Sequence, residues 1–327
     1  MIDSLFPYEW IEEAANRIQP YIAQTPLLHD AENNLYLKCE NRQITGSFKA
    51  RGAINKAFSL QSWEREPGLV AASAGNHGQG VALAGNLLNN KVTIFCSANA
   101  MPNKIESMRL LGADVILVPG GYGDAERAGL EYADGTSSVW ISPYNDGQVI
   151  AGQGSICLEI LKDNPGLEKA TWIVPTSGGG LISGIGAYLK WIAPTSRLIA
   201  VQTAASPFMH TMYYNGKIDD VIDLPTIADG LSGPVQSGSI TVPLVRHYVD
   251  DFLLVTETEI EKAIAYTWWR YGERIEGSAA TAIAAVLSGK VTDRPAVVIL
   301  SGGNIQNEQF QDILIRHGKL SLIDNMD

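Results

Sequence analysis

The sequence predicts a doubly wound α/β architecture, on three observations. Short β-rich runs alternate with helical stretches along the 327 residues. Most of the runs are continuously apolar, as in parallel strands covered on both faces. Glycine-rich loops stand between several runs and the helices that follow, where open α/β sheets bind ligands. The length suggests one large domain or two smaller ones.

In chain order, strands are read at "LYLKCE" (35–40), "LVAASA" (69–74), "KVTIFCS" (91–97), "DVILVP" (114–119) and "VWIS" (139–142). Later ones are "TWIVPT" (171–176), "RLIAVQ" (197–202), "FLLVT" (252–256) and "AVVILS" (296–301). "GQGVALAGNLL" (78–88) has helical apolar spacing, and "PNKIESMRLLGA" (102–113) opens on Pro and stops at Gly112. "TEIEKAIAYTWWRYG" (258–272) and "SAATAIAAVLSG" (278–289) are further helices. Trp268 and Trp269 read as packing or subunit contact. No repeat or low-complexity linker marks a domain boundary.

The formal charge of −11 argues against a nucleic-acid partner. The amphipathic, acidic N-terminus lacks the form of a signal peptide, and no run of about 18 apolar residues suggests a membrane span. Cys39, Cys96 and Cys157 lie far apart, without metal-ligand spacing, and read as reduced, buried residues of a cytoplasmic protein.

Four elements carry chemistry. "SAGNHGQG" (73–80) puts a hydroxyl, an amide and an imidazole on a glycine-rich turn before a helix. It reads either as a capped polar connection or as an anion site at the helix's positive end; His77 alone reads as an orienting or structural histidine. "PTSGGGLISG" (175–184) ends a strand with three glycines and opens an apolar helix, which favours a phosphate cradle over a plain turn. "SGGN" (301–304) closes a strand and is weak by itself. Lys49 in "GSFKARG" has small and aromatic neighbours with Arg51 close by; a lysine that captures an electrophile needs desolvation or nearby positive potential. A nucleophilic lysine, a phosphate cradle and an Asn loop together suit pyridoxal 5′-phosphate, which carries an aldehyde, a phosphate and a ring with polar atoms.

On these residues the chain resembles the fold-type II (tryptophan synthase β-like) pyridoxal-phosphate enzymes, and within them the threonine/serine dehydratase and serine racemase branch. The match runs in order through "TPLL" (25–28), "TGSFKARGA" (45–53), "SAGNHGQG" (73–80), "MPNKIESMRLLGADVILV" (101–118), "SGGGL" (177–181), "IADG" (227–230) and "SGGN" (301–304). The resemblance implies two doubly wound α/β domains with the cofactor in the cleft, the larger formed by 1–50 and 148–327 and the smaller by 51–147. It implies a homodimer and an amino-acid substrate, L-threonine and/or L-serine, deaminated to a 2-oxo acid and ammonia. Rival readings are a racemase, a lyase for another β-hydroxy amino acid such as a hydroxyaspartate or phenylserine, and a non-catalytic amino-acid-binding paralogue.

The resemblance also implies roles. Lys49 would join the cofactor aldehyde and later take the substrate Cα proton. Phe48 would line the cofactor pocket and Asn76 would bond its 3′-oxygen. Ser73, Ala74, Gly75, Asn76 and His77 would wrap the substrate carboxylate. Ser177, Gly178, Gly179, Gly180 and Leu181 would hold the phosphate, and Ser301 the ring nitrogen; Glu276 matches a position near the cofactor. A neutral Ser301 makes the ring a weaker electron sink than a carboxylate would, so proton loss would be coupled to departure of the β-hydroxyl.

Departures from the family pattern add expectations. Ala74 stands where serine racemases have a second serine that donates a proton from the opposite face, so racemisation should be slow or absent. Gln202 stands where some members have a metal-binding carboxylate, so no metal is expected there. The chain ends soon after "DILIRHGKL" and lacks the C-terminal regulatory domain of the larger biosynthetic threonine dehydratases, so feedback inhibition by isoleucine is not expected. The Gly/Ser-rich segment 229–244 reads as a loop over the site or as a structural connection.

Overall fold

The computed structural model describes residues 5–318. The expected domain limits at 1 and 327, and the end of "DILIRHGKL", lie outside the described residues. The strands are β1 (Leu27–Asp30), β2 (Leu35–Cys39), β3 (Leu69–Ala72), β4 (Val92–Ser97), β5 (Asp114–Val118), β6 (Val139–Trp140), β7 (Thr171–Pro175), β8 (Arg197–Thr203), β9 (Asp251–Val255) and β10 (Ala296–Leu300). The α-helices are α1 (Glu9–Ile18), α2 (Lys49–Ser59), α3 (Ser62–Arg65), α4 (Asn76–Leu88), α5 (Pro102–Leu110), α6 (Tyr122–Thr136) and α7 (Gly147–Asp163). They continue as α8 (Gly180–Ile192), α9 (Phe208–Asn215), α10 (Thr241–Tyr248), α11 (Glu257–Tyr271), α12 (Gly277–Leu287) and α13 (Asn307–Arg316). Among the described residues no helix is long and apolar enough to cross a membrane.

Two sheets form. One is six-stranded, ordered β1-β2-β10-β7-β8-β9, and the other four-stranded, ordered β5-β4-β3-β6. All pairings are parallel except β1 on β2. Continuous apolar runs bury both faces, as the strand reading requires. In β10, Val297 and Ile299 enter one core and Ala296, Val298 and Leu300 the other. In β3, Leu69 and Ala71 face one side and Val70 and Ala72 the other.

Three features differ from the sequence reading. β1 was not read as a strand; it is a short antiparallel edge whose apolar pair Leu27 and Leu28 is only partly buried. β5 is apolar but ends its sheet, and Ile116 and Leu117 stay 40% and 45% exposed. The helix starting at Pro102 stops at Leu110, and Gly112 turns the chain at φ +90°. Trp268 packs edge-on against Phe310 at 5.5 Å, whereas Trp269 is exposed.

A buried charge network ties α2 to β2 and α7. Arg51 forks onto Glu40 (2.7 and 2.8 Å) and reaches Glu159 at 2.9 Å, while Lys38 pairs with Glu159 and donates to the Thr25 carbonyl at 2.8 Å. Burial pushes the Glu40 carboxyl up, but the charge and hydrogen bonds of Arg51 prevail and hold it below its ordinary value.

Candidate active site

The expected site residues follow the carboxyl ends of parallel strands, except Glu276, which stands at the start of α12. β2 leads to Lys49, β3 to residues 73–77, β7 to residues 177–181 and β10 to residues 301–304. Two of these segments are stitched together. The Phe48 N–H donates to the Ser301 carbonyl at 3.0 Å, and the Gly303 N–H to the Gly46 carbonyl at 2.9 Å. Ser47 and Gly302 form a bridge between them. Ser301 is buried here and holds the residue beside the lysine.

Lys49 is the first residue of α2, and its Nζ donates to the Pro143 carbonyl at 2.9 Å. The amine lies 5.2 Å from the centre of the Phe48 ring. Protein encloses the amine on most sides. The resulting desolvation lowers its pKa to about 8, against the opposing charge of Glu276. A lysine at that value is partly uncharged near neutral pH, as attack on a carbonyl carbon requires.

Pro143 leads into Tyr144, which backs the glycine loop. A Cβ on Gly178 would strike the Tyr144 ring, and one on Gly180 would come within 2.9 Å of the Tyr144 Cβ. Gly179 sits at φ +84° with Val245, Met209 and Thr241 behind it, and Thr241 Oγ1 donates to the Gly178 carbonyl at 2.6 Å. The loop is therefore packed from behind. The first α8 bond runs from the Ser183 N–H to Gly179. The N–H groups of Gly180, Leu181 and Ile182 thus have no helical acceptors and form, with the helix dipole, a cradle for an anion. A phosphate fits this chemistry, and the desolvated Lys49 fits an aldehyde.

At the third loop, Ser73 is buried and its Oγ accepts the Gly75 N–H at 3.1 Å, whereas Ala74 is exposed. His77 donates from Nε2 to the Ile141 carbonyl at 2.8 Å. Burial, and then the Lys49 charge, drive its pKa to about 3, so it stays neutral. Only its backbone N–H, in the first turn of α4, is available to an anion. Asn76 donates to Glu276 Oε1 at 2.8 Å, and Lys104 bridges to Asp229 at 2.7 Å beside Gly75.

Glu276 is buried, and its pKa is raised to about 7 by desolvation and then by Asp229. An acid with a raised folded pKa holds its proton longer in the native state, so stability falls as pH rises from the ordinary 4.5 to about 7. Glu276→Gln should remove this slope, a change of up to about 3 kcal/mol. Urea unfolding of the cofactor-free protein between the two pH values checks it; an unchanged slope in the variant would refute the assignment.

Sequence reasoning gave no role to Pro143, Tyr144, Thr241 and Lys104, and included Asn304 only as the end of the "SGGN" turn. "SPYND" follows β6 at the carboxyl end of the smaller sheet, so the rule that found the other loops could have found it. The segment 229–244 reaches the site: the Gln236 N–H donates to the Tyr144 hydroxyl at 2.8 Å, and Asn145 bonds Gln236 and the Ile240 N–H. Gln202 accepts the His210 N–H at 3.1 Å and turns its amide nitrogen towards the Leu231 carbonyl.

Comparison with known proteins agrees with this chemistry. A family model described as "Pyridoxal-phosphate dependent enzyme" matches residues 18–302. An L-threonine ammonia-lyase of Thermotoga maritima is 40% identical, over 94% of this chain and 77% of that protein. The L-threonine dehydratase catabolic TdcB of Staphylococcus aureus is also 40% identical, over 94% of this chain and 91% of its own length. The structure of maize serine racemase superposes with a TM-score of 0.88 at 33% identity, covering 96% of this chain and 98% of that one.

Proposed function

The chain belongs to the pyridoxal-phosphate dependent enzymes, and from that premise we propose that it is an ammonia-lyase that converts L-threonine and/or L-serine into a 2-oxo acid and ammonia. The observation that carries this reading is the enclosed Lys49, its pKa lowered to about 8, in a chain 40% identical to an L-threonine ammonia-lyase. Purified protein given a panel of β-hydroxy amino acids should release ammonia and 2-oxo acid fastest from one of these two. Absence of both products with both would overturn the reading.

When bound, pyridoxal phosphate supplies an aldehyde and an electron-withdrawing ring. Lys49 would be the amine that holds the aldehyde and the base that takes the Cα proton. Phe48 lines the pocket. The residues 177–181 hold the phosphate through backbone N–H groups. Ser301 would meet the ring nitrogen with a neutral hydroxyl, which does not hold a proton there as a carboxylate would. The N–H groups at the start of α4, with Ser73, bind the substrate carboxylate.

The likeness to a serine racemase favours a second reading, racemisation, and Ala74 opposes it. Its methyl has no proton to deliver to the second face of the substrate. The protein should therefore form no D-serine from L-serine at a rate near that of deamination, and Ala74→Ser should introduce a slow racemisation. Chiral chromatography of the amino acid left during turnover checks both; rapid D-serine formation by the unaltered protein would sink the assignment.

We further propose that Gln202 binds no cation, since its amide is engaged by protein groups. The protein is read as a cytoplasmic homodimer. The free, buried Cys39, Cys96 and Cys157 support a reducing compartment. The exposed Trp10, Trp191 and Ile192, with the half-buried Tyr8 stacked on Trp191, offer apolar surface to a second copy.

A further inference from the structure

The Asn76 amide could face the site with its oxygen or its nitrogen, and the surrounding bonds decide which. The Asn304 side-chain nitrogen lies 2.8 Å from the Thr45 carbonyl oxygen and 2.7 Å from the Asn76 amide. A carbonyl oxygen only accepts, so the end of Asn304 that meets Thr45 is its NH2 group. Both of its N–H bonds are then used, one on Thr45 and one on Asn76. The Asn76 atom that receives the second must be the oxygen. The other end of Asn76 is therefore its NH2, which donates one N–H to Glu276 Oε1 at 2.8 Å and keeps the other free. Glu276 is steadied in turn, because its Oε2 accepts the Asn304 backbone N–H at 3.2 Å. Gly46, at φ +70°, makes room: a Cβ there would collide with the Asn304 side chain. A single direction thus runs from a fixed backbone carbonyl through Asn304 and Asn76 to Glu276.

We propose that Asn304 is a positioning residue that fixes the orientation of the Asn76 amide, so that its free N–H is presented to the 3′-oxygen of the cofactor; this rests on the reading above that the cofactor is joined to Lys49. An aspartate at 304 has the same shape but an acceptor where the donor stood. Asn76 would turn over to donate to it, and its oxygen would replace the N–H that faces the cofactor. Losing a donor raises the proton affinity of an anionic oxygen. The visible absorption of the cofactor depends on where that proton sits.

The test is a pH titration of the visible band in cofactor-loaded protein, for the unaltered chain, Asn304→Asp, Asn304→Ala, Asn76→Ala and the Asn76→Ala/Asn304→Ala pair. Both Asn304 variants should shift the titration midpoint by about one pH unit, the effect of one hydrogen bond to a charged group. The shift should vanish when Asn304→Ala is made in the Asn76→Ala background, because a residue that acts through another has nothing left to act on. Asn304→Ala keeps the test open should Asn304→Asp fail to fold. A midpoint unmoved in Asn304→Ala, or moved equally without the Asn76 amide, overturns the proposal. Absence of any visible band in the unaltered protein would instead overturn the cofactor reading and this inference with it.

Discussion

A Lys49→Ala protein should lose turnover of L-threonine and L-serine by about 10³-fold or more, because one deletion removes the group proposed both to join the cofactor and to act as general base. The visible absorption of the lysine-bound cofactor should disappear with it. The fold should survive, since the Lys49 amine makes one hydrogen bond, to the Pro143 carbonyl, and α2 keeps Ala50, Ala53, Ile54 and Ala57 in the core. Steady-state assays and an absorption spectrum on the same sample check this. Retention of either signal would remove Lys49 from its role. Lys49→Arg should not rescue, because a guanidinium stays charged and cannot attack a carbonyl carbon.

The second large effect falls on stability. Arg51→Met keeps much of the side-chain volume but leaves Glu40 fully buried, and Glu159 retains only Lys38 as its cation. Removing one partner of a buried pair costs about 3–5 kcal/mol, since the remaining charge is stranded. The sign with pH is specific. In the unaltered protein the lowered Glu40 pKa contributes stability that is present above the ordinary 4.5 and lost as pH falls. In Arg51→Met burial, the largest influence on that carboxyl, is opposed only by the Lys38 charge and the Thr25 hydroxyl and raises that pKa, so the variant loses stability as pH rises. The gap between the two proteins should therefore widen from acid to neutral pH, as read by denaturant midpoints. Adding Glu40→Gln should recover part of the loss, because the two sites share one interaction. A gap that is constant with pH would mean that Arg51 acts by packing and not by charge.

The strand pattern was legible because parallel strands buried on both faces are apolar throughout, as β7 and β10 are. α7 was not, although it is the longest helix among the described residues. Gly147, Gly152 and Gly154 lower its intrinsic propensity. Their use is tertiary: a Cβ on Gly152 would come within 2.6 Å of the Arg51 carbonyl, and one on Gly154 within 2.8 Å of the Gly184 carbonyl. Backbone packed on backbone leaves no periodic apolar stripe to read. β5 failed in the opposite way: its composition is that of an inner strand, but its edge position follows from sheet order, which no local window contains.

At the site, the segments that announced themselves were those with unusual glycine content or a lysine among small residues. Tyr144 and Asn304 did not, because a tyrosine between proline and asparagine, or an asparagine after two glycines, is ordinary turn chemistry. What gives them meaning is contact across the chain: Tyr144 lies behind Gly178 and Gly180, and Asn304 reaches Thr45 and Asn76. Such partners lie far away in sequence, where periodicity carries no information.

The order β1-β2-β10-β7 sets a timetable for biosynthesis. The early strands β1 and β2 join the rest of their sheet only through β10, and the turn before Lys49 is clasped by residues 301–303. A chain emerging from the ribosome therefore carries the lysine long before its surroundings exist. Until β10 is delivered, the first hairpin has an open edge and the turn before Lys49 lacks its clasp. Loops closed over such sequence distances are slow to form. The surroundings of Lys49 are therefore complete only after β10 has been made, when segments far apart in the sequence meet in one sheet.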